Sequence, residues 1–429
     1  MKEKVLNKNV KIFNHNISAQ KILLHPLFSG SFFMIFGSNL ANFIAYLYHL
    51  ILGRMLGPSL YGDLVATISL IGFVMSIVSF FGLVIVKFVS SAGEKEVGGI
   101  LDWFNRKTVI VALLLSFLTW LASPFIGNYI HISKNISLLF APILFFSVIT
   151  YVNKAFLQGI VKFKQVAITT NVEILGRLAF GLVFVLLGMK VFGAIFGLFL
   201  AIVCGYFLTR FFLRDIPLSK EKIDGFNWRK VLSYAVPVFV VSMSYTSLLT
   251  ADVVLVKHFF TSHDAGIYGS ISNLGKIIYY GTSPIMAVMF PLIVKRKTQN
   301  GNYMSIFGLS LLLVFGIGIL VLILYYLFPS LSIKLLYGSK YLEGSKYLVV
   351  MGVYFILYSM SNIISSFFLS IDRTKHLLIL PLFALLQVIG IYIYHSNFIS
   401  IIGVSIFSVS LLLIYLGLYF AYELKRKRI

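Results

Sequence analysis

A few ionisable residues stand inside long apolar runs of this 429-residue chain, and these are the residues whose spacing could do chemistry. Thr170, Glu173 and Arg177 follow one another at spacings of three and four, which places them on one face of a helix. Ionisable groups deep in a bilayer normally face a cavity or one another. Two interpretations therefore stay open. Glu173 and Arg177 form an ion pair that locks their helix in place, or Arg177 is a cavity cation tuned by the acid.

Two more polar stripes repeat the same helical spacing in other apolar runs. The first stripe consists of Asn39, Asn42, Tyr46 and His49. The second consists of Asn273, Lys276, Tyr280 and Ser283. Faces of this kind suit sugar hydroxyls, but membrane helices also use such groups to bind one another. The candidate substrate-binding residues are Arg177 and, from the two stripes, Asn39, Asn42, Tyr46, His49, Asn273, Lys276 and Tyr280.

Two carboxylates are candidates for binding a coupling ion, either a proton or sodium. They are Glu173 and Asp252, which lies about two-thirds along the seventh apolar run. Asp252 could instead pair with Lys257, five residues later. Lys257 and Arg54 stand at helix ends, where we expect long cationic side chains to reach the lipid headgroups. The alternative is that they contact substrate.

The sequence lacks the residue patterns that metal, cofactor and nucleotide sites require. Cys204 is the single cysteine, and the eight histidines include no HExxH pattern. Residues 338–346, GSKYLEGSK, have five residues between their glycines and lack the ending of a phosphate-binding loop. Asp63, Asp264 and Glu343 are the acids in the predicted outer turns, which gives a membrane enzyme of polymer assembly few catalytic candidates. We predict no metal, no cofactor and no catalytic residue.

The elements that must position these residues are membrane-spanning helices. Hydrophobic residues make up 59% of the chain and charged residues 12%, against roughly 25% charged in a soluble domain. Reading for runs of about 20 apolar residues predicts twelve spans. They cover residues 30–53, 64–89, 108–130, 136–158, 165–188, 191–213, 231–259, 265–293, 304–328, 347–371, 376–396 and 399–421.

The cations indicate how these spans are oriented. With a cytoplasmic amino terminus, 26 of the 36 Lys and Arg residues fall on the inner side and seven on the outer side. This positive-inside bias, with an even number of spans, predicts two cytoplasmic termini. The net charge of +22 is then mostly a topology signal and does not indicate nucleic-acid binding.

Two pairs of similar segments suggest that the chain is an internal duplication. Tyr61-Gly62 and Tyr268-Gly269 lie 207 residues apart, and two basic turns that end at Lys164 and Lys375 lie 211 apart. Copies with an even span number are parallel and related by an axis along the membrane normal. The predicted organisation is listed here in chain order: a basic tail (1–29), a six-helix lobe (30–213), a cytoplasmic linker (214–230), a second six-helix lobe (231–421) and a basic tail (422–429).

Four segments carry a resemblance to a known family. They are LGRMLGPSLYGDL (52–64), FLQGIVKFKQVAI (156–168), ADVVLVKHFFTSHDAGIYGSISNLGK ending in FPLI (251–293), and LLYGSKYLEGSKYLVVM (335–351). In order and spacing they resemble oligosaccharide flippases, the polysaccharide transporter family of the multidrug/oligosaccharidyl-lipid/polysaccharide (MOP) exporter superfamily. The resemblance implies an all-α, V-shaped bundle like that of the multidrug and toxin extrusion (MATE) transporters, with two lobes around a central cavity. Many relatives carry an arginine where this chain has Lys276, which weakens a substrate assignment.

The function expected from residues and resemblance together is transport and not catalysis. A flippase would move a polyprenyl-pyrophosphate-linked oligosaccharide from the cytoplasmic to the outer leaflet of a prokaryotic cytoplasmic membrane. Its expected partners are this anionic lipid, the bilayer, a coupling proton or sodium ion, and a polysaccharide polymerase. The alternatives are a drug or cation antiporter, or a peptidoglycan-precursor flippase of the same superfamily. A membrane enzyme is the third class.

Overall fold

The computed structural model describes residues 26–91, 97–216, 228–299 and 301–426. Most of the predicted basic tail (1–29) and of the predicted linker (214–230) lies outside the described residues, as do the last three residues of the predicted tail at 422–429. Every regular element in the described ranges is helical. The all-α class expected from the apolar runs is therefore confirmed.

The described residues of the amino-terminal lobe form six long helices. The continuous helical segment Pro26–Ser91 divides at Gly57 into α1 (26–56) and α2 (58–91). It is followed by α3 (Val97–Tyr129), a short helix (Lys134–Leu138), α4 (Phe140–Gly159), α5 (Phe163–Phe184), a π-helical turn (Val185–Met189) and α6 (Lys190–Leu213).

The carboxy-terminal lobe repeats this number of long helices. Its elements are α7 (Trp228–Phe259), α8 (Ser262–Thr298), α9 (Met304–Leu327), a short helix (Pro329–Leu336), a 3-10 segment (Ser339–Tyr347), α10 (Leu348–Ser370), a 3-10 turn (Lys375–Ile379), α11 (Leu380–Ile393) and α12 (Phe398–Lys425).

Ten stretches of the described chain are long and apolar enough to cross a membrane. Two of them, Gly37–Val78 and Phe163–Leu213, have 42 and 51 residues, whereas about 20 residues suffice for one crossing. Each of these two contains a pair of helices, α1 with α2 and α5 with α6. The twelve predicted spans are thus present, and the chain is a multi-pass membrane protein.

Gly57 makes the reversal between α1 and α2. Its φ of 72° and ψ of 172° lie outside the helical region, in a part of backbone space that only glycine enters readily. Pro58 follows and supplies no backbone N–H, so it suits the first turn of the new helix. The reversal brings the Tyr61 hydroxyl to 3.3 Å from His49 Nδ1, although twelve residues separate them. We call this end of the bundle, which the charges predict to be extracytoplasmic, the Gly57 end.

The two lobes meet at the Gly57 end through the starts of α2 and α8. A Cβ added to Gly62 would lie 2.7 Å from the Gly266 nitrogen, and one added to Gly266 would overlap the backbone of Pro58. A Cβ on Gly269 would overlap Val65. The Tyr-Gly pairs that suggested the duplication therefore both lie where these helices cross, and their glycines allow the backbones to approach closely.

Apolar packing differs between the helices. α10 buries most of its length, including Tyr354, Phe355 and Phe367, in the core of its lobe. α3 exposes large side chains such as Leu114, Phe117 and Trp120. Since an exposed apolar helix face needs an apolar covering, α3 is suited to contact lipid.

Candidate functional site

Arg177 on α5 is held by an aromatic ring. Its guanidinium carbon lies 4.1 Å from the centre of the Tyr48 ring on α1. Tyr48 is fully buried, and its hydroxyl donates to the Ala194 carbonyl at 3.3 Å. The Arg177 Nε is buried and has no hydrogen-bond partner among the described residues. This arrangement fixes the cation and leaves donors that a ligand can use.

Glu173 pairs with Lys154 of α4 and not with Arg177. The Lys154 Nζ lies 2.8 Å from Glu173 Oε2, and both side chains are mostly buried. The carboxylate also packs on Gly205 of α6, where an added Cβ would overlap it. An ion pair that holds α5 to α4 is thus present, but its cation is Lys154 and not Arg177. Helical spacing showed that the two share a face, and it carried no information about α4.

Lys276 and Asp252 occupy the buried core of the carboxy-terminal lobe. Asp252 is fully buried and accepts a 2.8 Å hydrogen bond from the Tyr268 hydroxyl. Its Oδ1 has no hydrogen-bond partner among the described residues. Lys276 is 5% exposed and interacts electrostatically with Asp252, without a direct ion pair in the part of the chain that the structure describes. Asp252 therefore does not pair with Lys257, which was the alternative expected from sequence.

The Tyr61 hydroxyl joins the two predicted polar stripes. It lies 3.3 Å from His49 Nδ1 on α1 and accepts a 2.7 Å hydrogen bond from Asn273 Nδ2 on α8. It also lies 3.1 Å from the Tyr337 hydroxyl. His49 of one lobe and Asn273 of the other thus both contact the buried Tyr61 hydroxyl, although the sequence marks Tyr61 only as part of a repeated motif.

The charges of both cations reach this tyrosine network. His49 interacts electrostatically with Arg177 and Lys276, and Arg177 interacts with Tyr280. Tyr280 is 39% exposed. The cations of the two lobes therefore act on a common region between α1, α5 and α8.

The remaining stripe residues are placed less centrally. Asn39 and Asn42 on α1 are exposed, whereas Tyr46 is half-buried. The Tyr46 hydroxyl is buried and has no hydrogen-bond partner among the described side chains and backbone. It is a polar group available to a ligand or a bound water.

Lys257 does not extend to lipid headgroups, so that expectation is wrong for it, and the exposed Arg54 also has protein partners. Arg54 donates from Nε to the Leu336 carbonyl at 3.0 Å and from Nη2 to the Leu335 carbonyl. Lys257 is 1% exposed and pairs with Asp63 at 2.9 Å. Both side chains cross between the lobes. Their position at helix ends indicated an interface with water and lipid, whereas the tertiary fold supplied protein partners.

Metal ligation was not expected, and within the described ranges the His, Cys, Asp and Glu side chains form no group of three or more that could hold a metal ion.

One family model matches a large part of the chain. It is described as polysaccharide biosynthesis protein and matches residues 27–297. The chain is also similar to an uncharacterized membrane protein of Methanocaldococcus jannaschii. The two are 24% identical over 412 residues, which cover 89% of this chain and 94% of that protein.

Solved structures show the same fold. An inward-facing multidrug resistance MATE family transporter of the MOP superfamily has a TM-score of 0.70 at 15% identity, covering 89% of this chain and 94% of that one. The outward-facing form of such a transporter has a TM-score of 0.65 at 14% identity, covering 96% and 100%. A MOP superfamily transporter from Pyrococcus furiosus, described as having reversed polarity of its binding pocket, has a TM-score of 0.60 at 15% identity, covering 92% and 95%. The MATE-like fold expected from the resemblance is confirmed.

Proposed function

Because this chain belongs to the polysaccharide biosynthesis protein family and has the fold of MOP superfamily transporters, we propose that it is a flippase for a lipid-linked oligosaccharide. The proposed substrate is a polyprenyl-pyrophosphate-linked oligosaccharide, moved from the cytoplasmic to the outer leaflet of a prokaryotic cytoplasmic membrane. The orientation rests on the distribution of Lys and Arg, which also favours two cytoplasmic termini.

One observation carries the proposal: Arg177 is a deeply placed cation without a carboxylate partner among the described residues. A cation in apolar surroundings is retained where it has a role that offsets its desolvation. Its planar donors suit phosphate oxygens, which they can bind in pairs. Lys276, on the facing lobe, supplies a second positive charge.

The polar groups around these cations suit the sugar portion of the substrate. His49, Asn273 and Tyr61 offer hydrogen-bond donors and acceptors, and Asn42 and Tyr46 extend the polar face along α1. Tyr280 adds an aromatic surface beside Arg177. In this account the pyrophosphate lies near the cations while the polyprenyl tail stays in the bilayer.

Transport would proceed by alternating access of the two lobes. A substrate can drive such a change only by binding the two states with different affinities. The energy source is a proton or sodium gradient acting at Asp252 or Glu173, or the consumption of the product by a polysaccharide polymerase.

Purified protein in vesicles provides the test of transport. A fluorescent polyprenyl-pyrophosphate oligosaccharide is added, and its exposure in each leaflet is read with an impermeant quencher. Arg177→Gln should slow flipping at least about tenfold, as expected for losing one charge-assisted contact of about 1.5–3 kcal/mol. Arg106→Gln is the matched control, because Arg106 lies on α3 with its side chain 70% exposed. Equal rates in protein-free and protein-containing vesicles would reject the proposal.

A drug or cation antiporter is the second candidate. The buried, partly unpartnered carboxylate of Asp252 favours it, because proton- or cation-coupled exporters need such a group. Asp252→Asn should then abolish drug efflux from cells. The flippase proposal predicts no drug efflux from cells, whether residue 252 is aspartate or asparagine. A peptidoglycan-precursor flippase is distinguished in the vesicle assay by using the lipid-linked precursor as substrate.

A further inference from the structure

A buried ammonium group ties the two lobes together at the Gly57 end. Lys257 at the carboxyl end of α7 is 1% exposed, and its Nζ lies 2.9 Å from Asp63 Oδ1 at the start of α2. The same Nζ donates to Ser262 Oγ at 2.5 Å and to the His131 carbonyl at 3.4 Å. Asp63 and His131 belong to the amino-terminal lobe, and Ser262 to the carboxy-terminal lobe. We name these four residues the Lys257 latch.

The contacts around the latch seal the same end. His258, the next residue, stacks on Tyr129 with ring centres 4.0 Å apart, and its Nδ1 lies 2.7 Å from the Tyr129 carbonyl. The Tyr341 hydroxyl donates to the Gly53 carbonyl at 2.6 Å. The helices α2 and α8 also approach closely at Gly62 and Gly266. Lys257 is therefore enclosed between the lobes.

The ion pair between Lys257 and Asp63 is held chiefly by charge. Asp63 Oδ1 meets Nζ at ion-pair distance but not with the geometry of a hydrogen bond, so the attraction is chiefly between charges. A buried ion pair adds modest net stability, but removing one partner leaves an uncompensated charge that is strongly unfavourable. Opening the Gly57 end would let such a charge reach water. Loss of either partner should therefore shift the lobes towards the open state.

We infer that the Lys257 latch holds the bundle closed at the Gly57 end and that Lys257 and Asp63 are positioning residues which separate each time this end opens. The place of that opening in a transport cycle rests on the proposed function. The closure itself depends only on the contacts between the lobes.

Cysteine labelling in purified protein tests the latch without any substrate. Cys204 is exposed and is first replaced by serine. Val65→Cys then places a reporter beside Gly269 of the other lobe, at a position that is 2% exposed. Asp63→Asn should raise the rate of maleimide labelling about tenfold or more, because it leaves the 1% exposed ammonium of Lys257 uncompensated. Lys257→Met should raise the rate less, because the Asp63 side chain that it leaves unpaired is already 21% exposed. Failure of both variants to raise this rate would overturn the inference.

Two controls separate opening from general damage. Asp372→Asn removes the partner of Lys297, an ion pair of 3.3 Å at the other end of the bundle, and should not change labelling of the reporter. A second reporter, Ser365→Cys, lies fully buried in the carboxy-terminal lobe and should stay protected in every variant. Equal acceleration by Asp372→Asn would contradict a specific latch.

The double variant tests whether the uncompensated charge causes the opening. Lys257→Met combined with Asp63→Asn leaves no uncompensated charge, so its labelling should be slower than in Asp63→Asn alone. Additive acceleration would overturn the inference. The labelling assay contains no lipid-linked substrate, so it is independent of the flipping assay. If the latch variants label as expected but the vesicles show no flipping, the proposed function is rejected and the latch is not.

Discussion

At the residue scale, the central feature is the way in which Arg177 is held. Stacking on Tyr48 orients the guanidinium without using its N–H donors, whereas a carboxylate would occupy them. Glu173, the acid nearest along the helix face, pairs with Lys154 instead. Arg177 is thereby left with capacity to bind an anion.

Replacing the Tyr48 ring should therefore weaken transport. Tyr48→Leu removes a buried cation–π contact of about 2 kcal/mol, so flipping should slow by roughly tenfold to thirtyfold. Tyr48→Phe is the control, since it keeps the ring and loses only the 3.3 Å hydrogen bond to the Ala194 carbonyl. The vesicle assay measures the flipping rates of both variants and of the unchanged protein. Equal rates for the leucine variant and the unchanged protein would show that the ring does not position Arg177.

The Glu173–Lys154 pair should matter for stability. Glu173→Gln leaves a mostly buried ammonium without its counter-charge, at a cost of about 1–3 kcal/mol. The melting temperature in detergent should fall. Adding Lys154→Met should restore part of the loss, because the unpaired charge is then gone. A single variant as stable as the parent would contradict a structural role for the pair.

Residue types and spacing predicted which side chains lie deep in the helices, but not what they contact. Arg177 and Lys276 were found because cations inside apolar runs are rare. Spacing within one helix cannot identify a partner on another, so Lys154 and Tyr48 were missed. Asp63 stands out in the sequence only as an acid of a predicted outer turn, although its position beside the Tyr61-Gly62 pair could have indicated a contact with another helix.

At the element scale, the helices follow closely from runs of apolar residues. Each predicted span overlaps an observed long helix because a membrane crossing demands about 20 apolar residues whatever their neighbours. The turns were less predictable. Gly57 reverses the chain within an uninterrupted apolar pattern, and the short helix and 3-10 segment from Pro329 to Tyr347 pack on that turn. Such packing depends on tertiary contacts and not on periodicity.

The crossing of α2 and α8 gives an element-scale prediction. Gly266→Ala introduces a Cβ that overlaps the Pro58 backbone, so the Gly57 end should no longer close fully. Labelling of the Val65→Cys reporter should rise, as in the latch variants. Gly417→Ala is the matched control, because a Cβ at this α12 position meets nothing within 4 Å. Unchanged labelling in Gly266→Ala would contradict the prediction, because it would show that the added Cβ does not keep the Gly57 end from closing.

At the scale of the whole molecule, the tyrosines of the two Tyr-Gly pairs have different contacts. Tyr61 binds His49 and Asn273 between the lobes, while Tyr268 donates to the buried Asp252 within one lobe. The first arrangement lies beside both cations, and the second holds a carboxylate suited to a coupling ion. Under the proposed function, the first arrangement would contact substrate and the second would bind the coupling ion.

The most direct test of the central claim compares two lipids that carry the same oligosaccharide, one linked through pyrophosphate and one through an uncharged linker. Vesicles with the unchanged protein should flip the pyrophosphate lipid much faster than the neutral one. Arg177→Gln combined with Lys276→Gln should abolish this preference, because both cations proposed to attract the anionic group are then gone. Equal flipping of the two lipids by the unchanged protein, or an intact preference in the double variant, would contradict the account.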